Sequence, residues 1–163
     1  NADRSWNVHI LQRMADIDMQ RLDWKQAIRV YEQIRTLRPD DEGVRKNLIE
    51  LNLRLGQLAQ ANAELENYIT YLQTSNRSGQ SIKFVQDLLQ ERTDDLVLRR
   101  ALAQQYQQAG QIEQAVTELD AIAESLLTGG RKEEAVVVIN QILLINPPNA
   151  EQYRQLLRQL QSS

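Results

Sequence analysis

The sequence predicts an all-α fold made of repeated helical units. The first observation is a period of 54 residues, which relates residues 23–34, 77–88 and 131–142. In each segment a small residue, Ala27, Ser81 or Ala135, precedes larger apolar residues at the fourth and seventh positions after it. The second observation is that apolar residues elsewhere recur at helical spacing. No segment long enough to be a strand shows the apolar–polar alternation of a β-strand. A chain that repeats in this way is usually a stack of supersecondary units, and such stacks form binding surfaces.

The joints between the predicted helices recur with the same period. Pro39 cannot continue a helix. Asp41 can cap the next helix, and its negative charge interacts favourably with the positive N-terminal end of that helix. Residues 93–95 and 146–149 occupy the corresponding joints. Glycine in the joints 55–57 and 109–111 suits a left-handed residue after a helix end.

These joints divide the chain into nine predicted helices, three in each unit. We expect a single domain over residues 1–163, with units of about 3–56, 57–110 and 111–163. The helices are predicted at about 5–20, 24–37, 41–54, 57–73, 79–92, 95–108, 111–127, 132–145 and 149–161.

Composition excludes several classes of protein and site. The 163 residues include no cysteine, so disulfides, zinc–thiolate sites and thiol nucleophiles are impossible. The net charge of −3 lacks the basic excess of a nucleic-acid binder, so a helical-repeat RNA reader is disfavoured. No apolar run reaches the ~20 residues of a membrane span. No signal peptide opens the chain, and we expect a soluble cytoplasmic protein with neither nucleic-acid nor membrane partners.

The sequence offers no convincing catalytic or metal site. His9 is the only histidine, and Asp16 is the one carboxylate two helical turns away on the same face. The carboxylates at positions 16–23 and 40–42 are explained by capping and solvation. No phosphate loop, dinucleotide fingerprint, zinc-protease or serine-hydrolase motif occurs. We therefore predict a protein that is not an enzyme, with no cofactor and no metal.

A 34-residue spacing lies within each 54-residue unit, from Ala27 to Ala61 and from Ser81 to Ala115. The best-matching run covers residues 53–61 and is repeated at 107–115. Large residues follow both runs at equivalent positions. In this spacing and these residues the chain resembles the tetratricopeptide repeat family. The resemblance implies a right-handed α-solenoid of antiparallel helices whose small residues let neighbouring helices approach closely.

The chain departs from the family pattern in two ways. Small residues are spaced 34 and 20 apart in alternation, which predicts that helices 57–73 and 111–127 are each shared by successive repeats. Each unit is then a three-helix step, whose geometry need not preserve the usual groove. The second departure is Asp18 and Asn52, which stand where the family usually has an aromatic residue, as at Tyr106. We expect weaker packing or a polar network there.

The resemblance also implies where a partner binds, because family members often hold peptides on the leading helices of their repeats. Glutamine, of which the chain has 21, can both donate to and accept from a peptide backbone. Lys46, Asn47 and Arg100 suggest a carboxylate clamp, but the charge of Glu50 opposes one. The candidate partner-binding residues are Arg13, Asp16, Lys46, Asn47, Glu50, Arg54, Arg100, Gln104, Gln107 and Gln108.

Two functions remain open at this point. The first is a non-catalytic scaffold that docks a peptide or partner domain on a concave helical face. The second is an assembly module, because the C-terminal unit is unusually apolar. The helix at 132–145 lacks a clean polar face, and Tyr153, Leu156, Leu157 and Leu160 form a stripe on the last helix. Either this stripe packs inward, or the C-terminal end meets another subunit, as in a homodimer, or sequence outside this chain.

Overall fold

The computed structural model describes residues 2–163, with side chains from Arg4 onward. Within these residues the chain forms nine α-helices and no strand, which confirms the predicted all-α helical repeat. The helices are α1 (Ala2–Gln20), α2 (Trp24–Leu37), α3 (Glu42–Arg54), α4 (Leu58–Thr74), α5 (Ser78–Glu91), α6 (Leu96–Gln108), α7 (Ile112–Thr128), α8 (Lys132–Leu144) and α9 (Ala150–Ser162).

The predicted aspartate cap is present at the start of α3 and recurs at α6, whereas Asn149 before α9 makes no side-chain cap hydrogen bond. The carboxylate of Asp41 accepts a hydrogen bond from the backbone N–H of Val44 at 3.1 Å and so begins α3. Asp95, its counterpart 54 residues later, accepts from the N–H groups of Val97 and Leu98 and begins α6. These bonds satisfy N–H groups that the first turn of a helix leaves unpaired. Because the cap recurs, α3 and α6 begin at equivalent positions of the 54-residue repeat.

The repeat also fixes which joint residues adopt a left-handed backbone. Gly56 and Gly110 do so after α3 and α6, with φ of 71° and 74°. A second repeating position has φ of 58° at Leu22, 59° at Asn76 and 75° at Gly130. Glycine adopts this conformation freely and asparagine tolerates it, whereas leucine is strained there.

Replacing Leu22 with glycine is therefore expected to raise the free energy of unfolding by about 1 kcal/mol. The Leu22 side chain is 71% exposed, so its removal sacrifices little packing. Urea denaturation of the wild type and Leu22→Gly measures the difference, and Asn76→Gly is the matched control, with a smaller expected gain. A loss of stability in Leu22→Gly would show that the leucine side chain contributes packing that its exposure does not indicate.

The helices group into two compact units, residues 1–76 and 77–163. In the first unit, α1 packs on α2, α2 on α3 and α3 on α4. In the second, consecutive helices from α5 to α9 pack in the same way. The division into three 54-residue units within a single domain stays a prediction.

Each unit has a hydrophobic core in which the predicted small residues are completely buried. Ala27 and Ala135, which open the repeated pattern, have no exposed surface, and neither do Ala61 and Ala115. The core of the first unit includes Val8, Ala15, Ala27, Ile28, Val30, Tyr31, Ile34, Val44, Leu48 and Leu51. That of the second includes Ala103, Leu119, Ile122, Ala123, Leu126, Ala135, Val138, Ile139, Ile142, Tyr153 and Leu157.

The apolar stripe of the last helix packs inward. Tyr153 and Leu157 are buried, while Leu156 and Leu160 are partly buried against the core of the second unit. The apolar helix α8 is buried over only part of its surface. Val137 is 57% exposed and Leu144 is 86% exposed, both on the side away from the buried residues of α8.

An arginine in the first half of α3 joins two elements, and its counterpart in α6, 54 residues later, does the same. The Nε of Arg45 donates to the carbonyl oxygen of Pro39 at 3.0 Å, and its Nη1 donates to Oδ1 of Asn67 on α4 at 2.7 Å. Arg99, 54 residues later, donates from Nε to the carbonyl oxygen of Thr93 at 3.1 Å and from Nη1 to Glu118 on α7 at 2.9 Å. Each arginine thus holds the preceding loop and the following helix.

Arg45 is the more deeply buried of the two, at 3% exposure. Its guanidinium carbon lies 5.2 Å from the ring centroid of Tyr68 and 5.8 Å from that of Tyr71. Burial, followed by the charge of Arg35, lowers the pKa of Arg45, and the two tyrosines oppose this. An arginine nevertheless stays charged in a protein, so its hydrogen bonds and the aromatic faces must replace its lost hydration.

The position that departs from the family's aromatic pattern has a local polar solution. The buried amide of Asn52 donates from Nδ2 to the carbonyl oxygen of Leu48, one turn back in α3, at 2.7 Å. At the corresponding position in α6, the hydroxyl of Tyr106 accepts a hydrogen bond from Nε2 of Gln86 at 2.7 Å. Both residues are buried, and each has a hydrogen-bond partner, which for Asn52 lies within its own helix and for Tyr106 lies on α5.

Candidate functional site

The ten candidate binding residues lie on three helices of the structure. Two are on α1 and four are on α3, all in the first unit, and four are on α6 in the second. Each unit therefore presents its own set of polar side chains.

Several candidate residues of the first unit contact other residues of the same unit. Nζ of Lys46 lies 3.8 Å from Oε1 of Glu50, one helical turn along α3. The guanidinium carbon of Arg54 lies 4.9 Å from the ring centroid of Trp24. Oδ1 of Asp16 accepts a hydrogen bond from Gln12 at 3.2 Å. These contacts make the first set a network of local pairs, in which Asn47 is half-buried and Arg13 is exposed.

A separate apolar hollow of about 460 Å³ lies between α1 and α2 in the first unit. Its lining is Asn7, Ile10, Leu11, Gln33, Thr36 and Leu37. None of the candidate binding residues belongs to this lining. Ile10 continues an exposed apolar face of α1 with Trp6, Met14 and Ile17.

In the second unit the structure brings three candidates together. Arg100, Gln104 and Gln107 line a groove of about 400 Å³ that α6, α7 and α8 enclose. We call this the α6–α8 groove. Its complete lining is Arg100, Ala103, Gln104, Gln107, Leu119, Gln141 and Leu144.

Helical spacing explains why α6 presents these side chains together. Arg100, Gln104 and Gln107 occur at positions i, i+4 and i+7, which share one face of a helix. The other side of α6 buries Leu98 and Leu102 in the protein interior. Gln108 is exposed but lies outside the groove lining, since it follows Gln107 by about 100° around the helix.

Four lining residues were not among the sequence candidates: Ala103, Leu119, Gln141 and Leu144. Ala103 and Leu119 are core residues whose edges reach the groove. The sequence did indicate an exposed apolar side chain on α8, because this helix has no clean polar face and some of its apolar side chains must lie outside the core. Sequence spacing could not show which one, since this depends on how α8 is rotated against α7.

The chemistry of the groove is that of a polar wall over an apolar base. Among the residues that line it, Arg100 alone carries a charge, and three glutamines supply amide donors and acceptors. Leu144 and the edges of Ala103 and Leu119 supply apolar surface. Such a mixture orients a ligand through its polar groups and holds it through burial.

No metal-binding arrangement is found in the described part of the chain. Among the residues searched there, no group of three or more histidine, aspartate or glutamate side chains could hold a metal ion. His9 is exposed, with its ring 6.2 Å from that of Trp6. Among the described helices, none is both long and apolar enough to span a bilayer.

Comparison with family models identifies the repeat. Residues 18–77, which cover α2, α3 and α4, match the model described as tetratricopeptide repeat. Residues 18–77 are thus similar to a tetratricopeptide repeat. Tetratricopeptide repeats are, in general, scaffolds for protein interaction, because stacked helical units build extended surfaces. No curated protein sequence matches the chain.

Solved structures similar to this chain include MamA RS-1, at 10% identity, 96% and 93% coverage of this chain and that chain, and a TM-score of 0.42. A thermophilic tetratricopeptide repeat protein of Thermus thermophilus has 16% identity, coverage of 96% and 100%, and a TM-score of 0.33. YrrB, described as a tetratricopeptide repeat protein with an unusual peptide-binding site, has 11% identity, coverage of 88% and 89%, and a TM-score of 0.35.

Proposed function

We propose that the protein is a non-catalytic scaffold that binds a linear peptide segment of a partner protein in the α6–α8 groove. The observation that carries this proposal is Leu144, whose side chain is 86% exposed beside Gln141 and the glutamines of α6. A large apolar side chain that is exposed within a concave, amide-lined groove is a typical anchor point for a partner.

An extended peptide suits the groove because its backbone carries a donor and an acceptor at every residue. Gln104, Gln107 and Gln141 can each donate and accept, so they can follow such a backbone without demanding one side-chain sequence. An apolar side chain of the peptide can then cover Leu144 and remove both surfaces from water. The remaining candidates of the first unit, on α1 and α3, are proposed as a second polar contact surface for a longer partner.

The test is selection of binders from a phage library of random linear dodecapeptides, followed by titration of the synthetic peptides. Leu144→Gln keeps a side chain of similar size and replaces most of the apolar surface by an amide, and a loss of affinity of about 10-fold or more is expected. Leu58→Gln is the matched control, because Leu58 is also exposed, at 56%, but lies on α4 in the other unit. Selected peptides that bind Leu144→Gln as tightly as the wild type would overturn the proposal.

The same exposed surface favours a second candidate function, which is self-association. Val137 and Leu144 lie seven residues apart on α8 and so share a face. Since the stripe of α9 packs inward, these two side chains are the exposed apolar residues of α8 that remain for a homodimer. Light scattering over a range of protein concentrations distinguishes the functions. A dimer that Leu144→Gln dissociates supports assembly, and a wild-type monomer at high concentration excludes it.

A further inference from the structure

We infer that the peptide held in the α6–α8 groove is acidic, with an aspartate or glutamate side chain that pairs with Arg100 beside an apolar residue that covers Leu144. This inference rests on the proposed peptide-binding function and specifies the chemistry of the ligand. Its basis is the state of Arg100, which differs from that of the other arginines nearby.

Arg100 differs from its neighbours in having no hydrogen bond or ion pair within the described residues. The other arginines on helices α6 to α9 are all paired. Arg99 contacts Glu118 at 2.9 Å, and Arg154 and Arg158 both contact Glu151, at 3.2 and 2.9 Å. Arg100 is exposed and lines the groove. It is therefore a cation whose guanidinium remains available to a ligand.

The rest of the lining supplies no competing charge. Its other residues are three glutamines, two leucines and an alanine, so no carboxylate of the lining neutralises Arg100 or repels an anion. A guanidinium presents a planar fork of N–H donors that matches both oxygens of a carboxylate. A basic or neutral peptide would leave this group unpaired, while an acidic side chain gains a charge-assisted hydrogen bond.

Charge and apolar surface lie on different elements of the groove, which defines a two-part ligand. Arg100 is near the start of α6, and Leu144 is the last residue of α8. A peptide that satisfies both must carry a carboxylate and an apolar side chain that reach the same groove. We therefore expect selected peptides to contain an acidic residue close to leucine, isoleucine, valine or phenylalanine.

The experiment compares charge variants of the full chain against selected peptides that are synthesised with amidated C-termini, so that only side-chain carboxylates are present. Arg100→Ala is expected to weaken binding about 10-fold, and Arg100→Glu by more, because it places like charges opposite each other. Replacing the acidic residue of the peptide with lysine should reverse this preference, so that Arg100→Glu binds the lysine peptide better than the wild type does. Arg29→Glu, an exposed site on α2 in the other unit, makes the same change in net charge and should leave affinity nearly unchanged.

The outcomes separate this inference from the proposed function. Selected peptides that lose affinity in Leu144→Gln but lack acidic residues and bind Arg100→Glu normally would overturn the acidic-ligand inference and leave peptide binding intact. If no selected peptide is sensitive to Leu144→Gln, the groove itself is not the binding site and the proposed function fails. A charge reversal that exchanges peptide preference, with Arg29→Glu unaffected, supports both.

Discussion

Replacing Arg45 with alanine is expected to lower the free energy of unfolding by about 2–4 kcal/mol. The side chain is 3% exposed and joins the loop before α3 to α4 through Pro39 and Asn67. Its loss leaves the carbonyl of Pro39 without this donor, removes the methylene stem from the interior and removes the cation above the rings of Tyr68 and Tyr71. Urea denaturation followed by circular dichroism measures the change.

Two further variants identify the physical origin of that loss. Arg45→Met keeps an unbranched apolar stem and removes the guanidinium, so we expect an intermediate loss of about 1–2 kcal/mol. Arg99→Ala is the matched control from the repeat, since Arg99 makes equivalent contacts with a side chain that is 25% exposed. Water can replace part of what Arg99 provides, and its removal should cost about 1 kcal/mol. Equal losses at positions 45 and 99 would show that burial does not set the contribution of this arginine.

The helices could be predicted from the sequence, whereas contacts between helices, such as those of Arg45, could not. The 54-residue period and the helical spacing predicted all nine helices of the described chain, with ends that agree to within a few residues. They succeeded because the signals are local: a cap such as Asp41 or a left-handed glycine such as Gly56 acts within one turn. Arg45 was not singled out, because its value depends on Asn67 and two tyrosines on another helix.

The candidate site was predictable in part for the same reason. The face of α6 that carries Arg100, Gln104 and Gln107 follows from spacing within one helix, and the structure places these three residues in one groove. Leu144 joins them through the packing of α6, α7 and α8, which no spacing along a single helix defines. The availability of Arg100 likewise depends on which carboxylates lie near it in three dimensions.

Ser81 and Gln105 form a buried polar pair whose replacement is expected to change the free energy of unfolding. Oγ of Ser81 on α5 lies 2.5 Å from Oε1 of Gln105 on α6, and both side chains are buried. The same hydroxyl lies 2.7 Å from the carbonyl oxygen of Ser78, but a hydroxyl has only one hydrogen to donate. Nε2 of Gln105 is buried without a hydrogen-bond partner. The amide of Gln105 is therefore incompletely satisfied, which is costly in a low-dielectric interior.

In the first unit the corresponding positions, 54 residues earlier, are Ala27 and Leu51, and both are buried. We accordingly expect Gln105→Leu to raise the free energy of unfolding by about 1–2 kcal/mol, because it removes an unpaired donor and adds apolar surface. Ser81 remains satisfied in this variant through Ser78. Ser81→Ala alone should lower the free energy of unfolding by about 1 kcal/mol, because Oε1 of Gln105 then loses its donor.

The double variant Ser81→Ala with Gln105→Leu distinguishes a coupled pair from two independent sites. With leucine at position 105 no amide depends on Ser81, so Ser81→Ala should then cost almost nothing, and the double variant should be as stable as Gln105→Leu. The coupling energy from the cycle of urea denaturation curves is expected to be about 1 kcal/mol. If Ser81→Ala is equally destabilising in both backgrounds, the hydroxyl acts through α5 alone. If Gln105→Leu is destabilising, the amide has a favourable role in the interior that its unpaired Nε2 does not indicate.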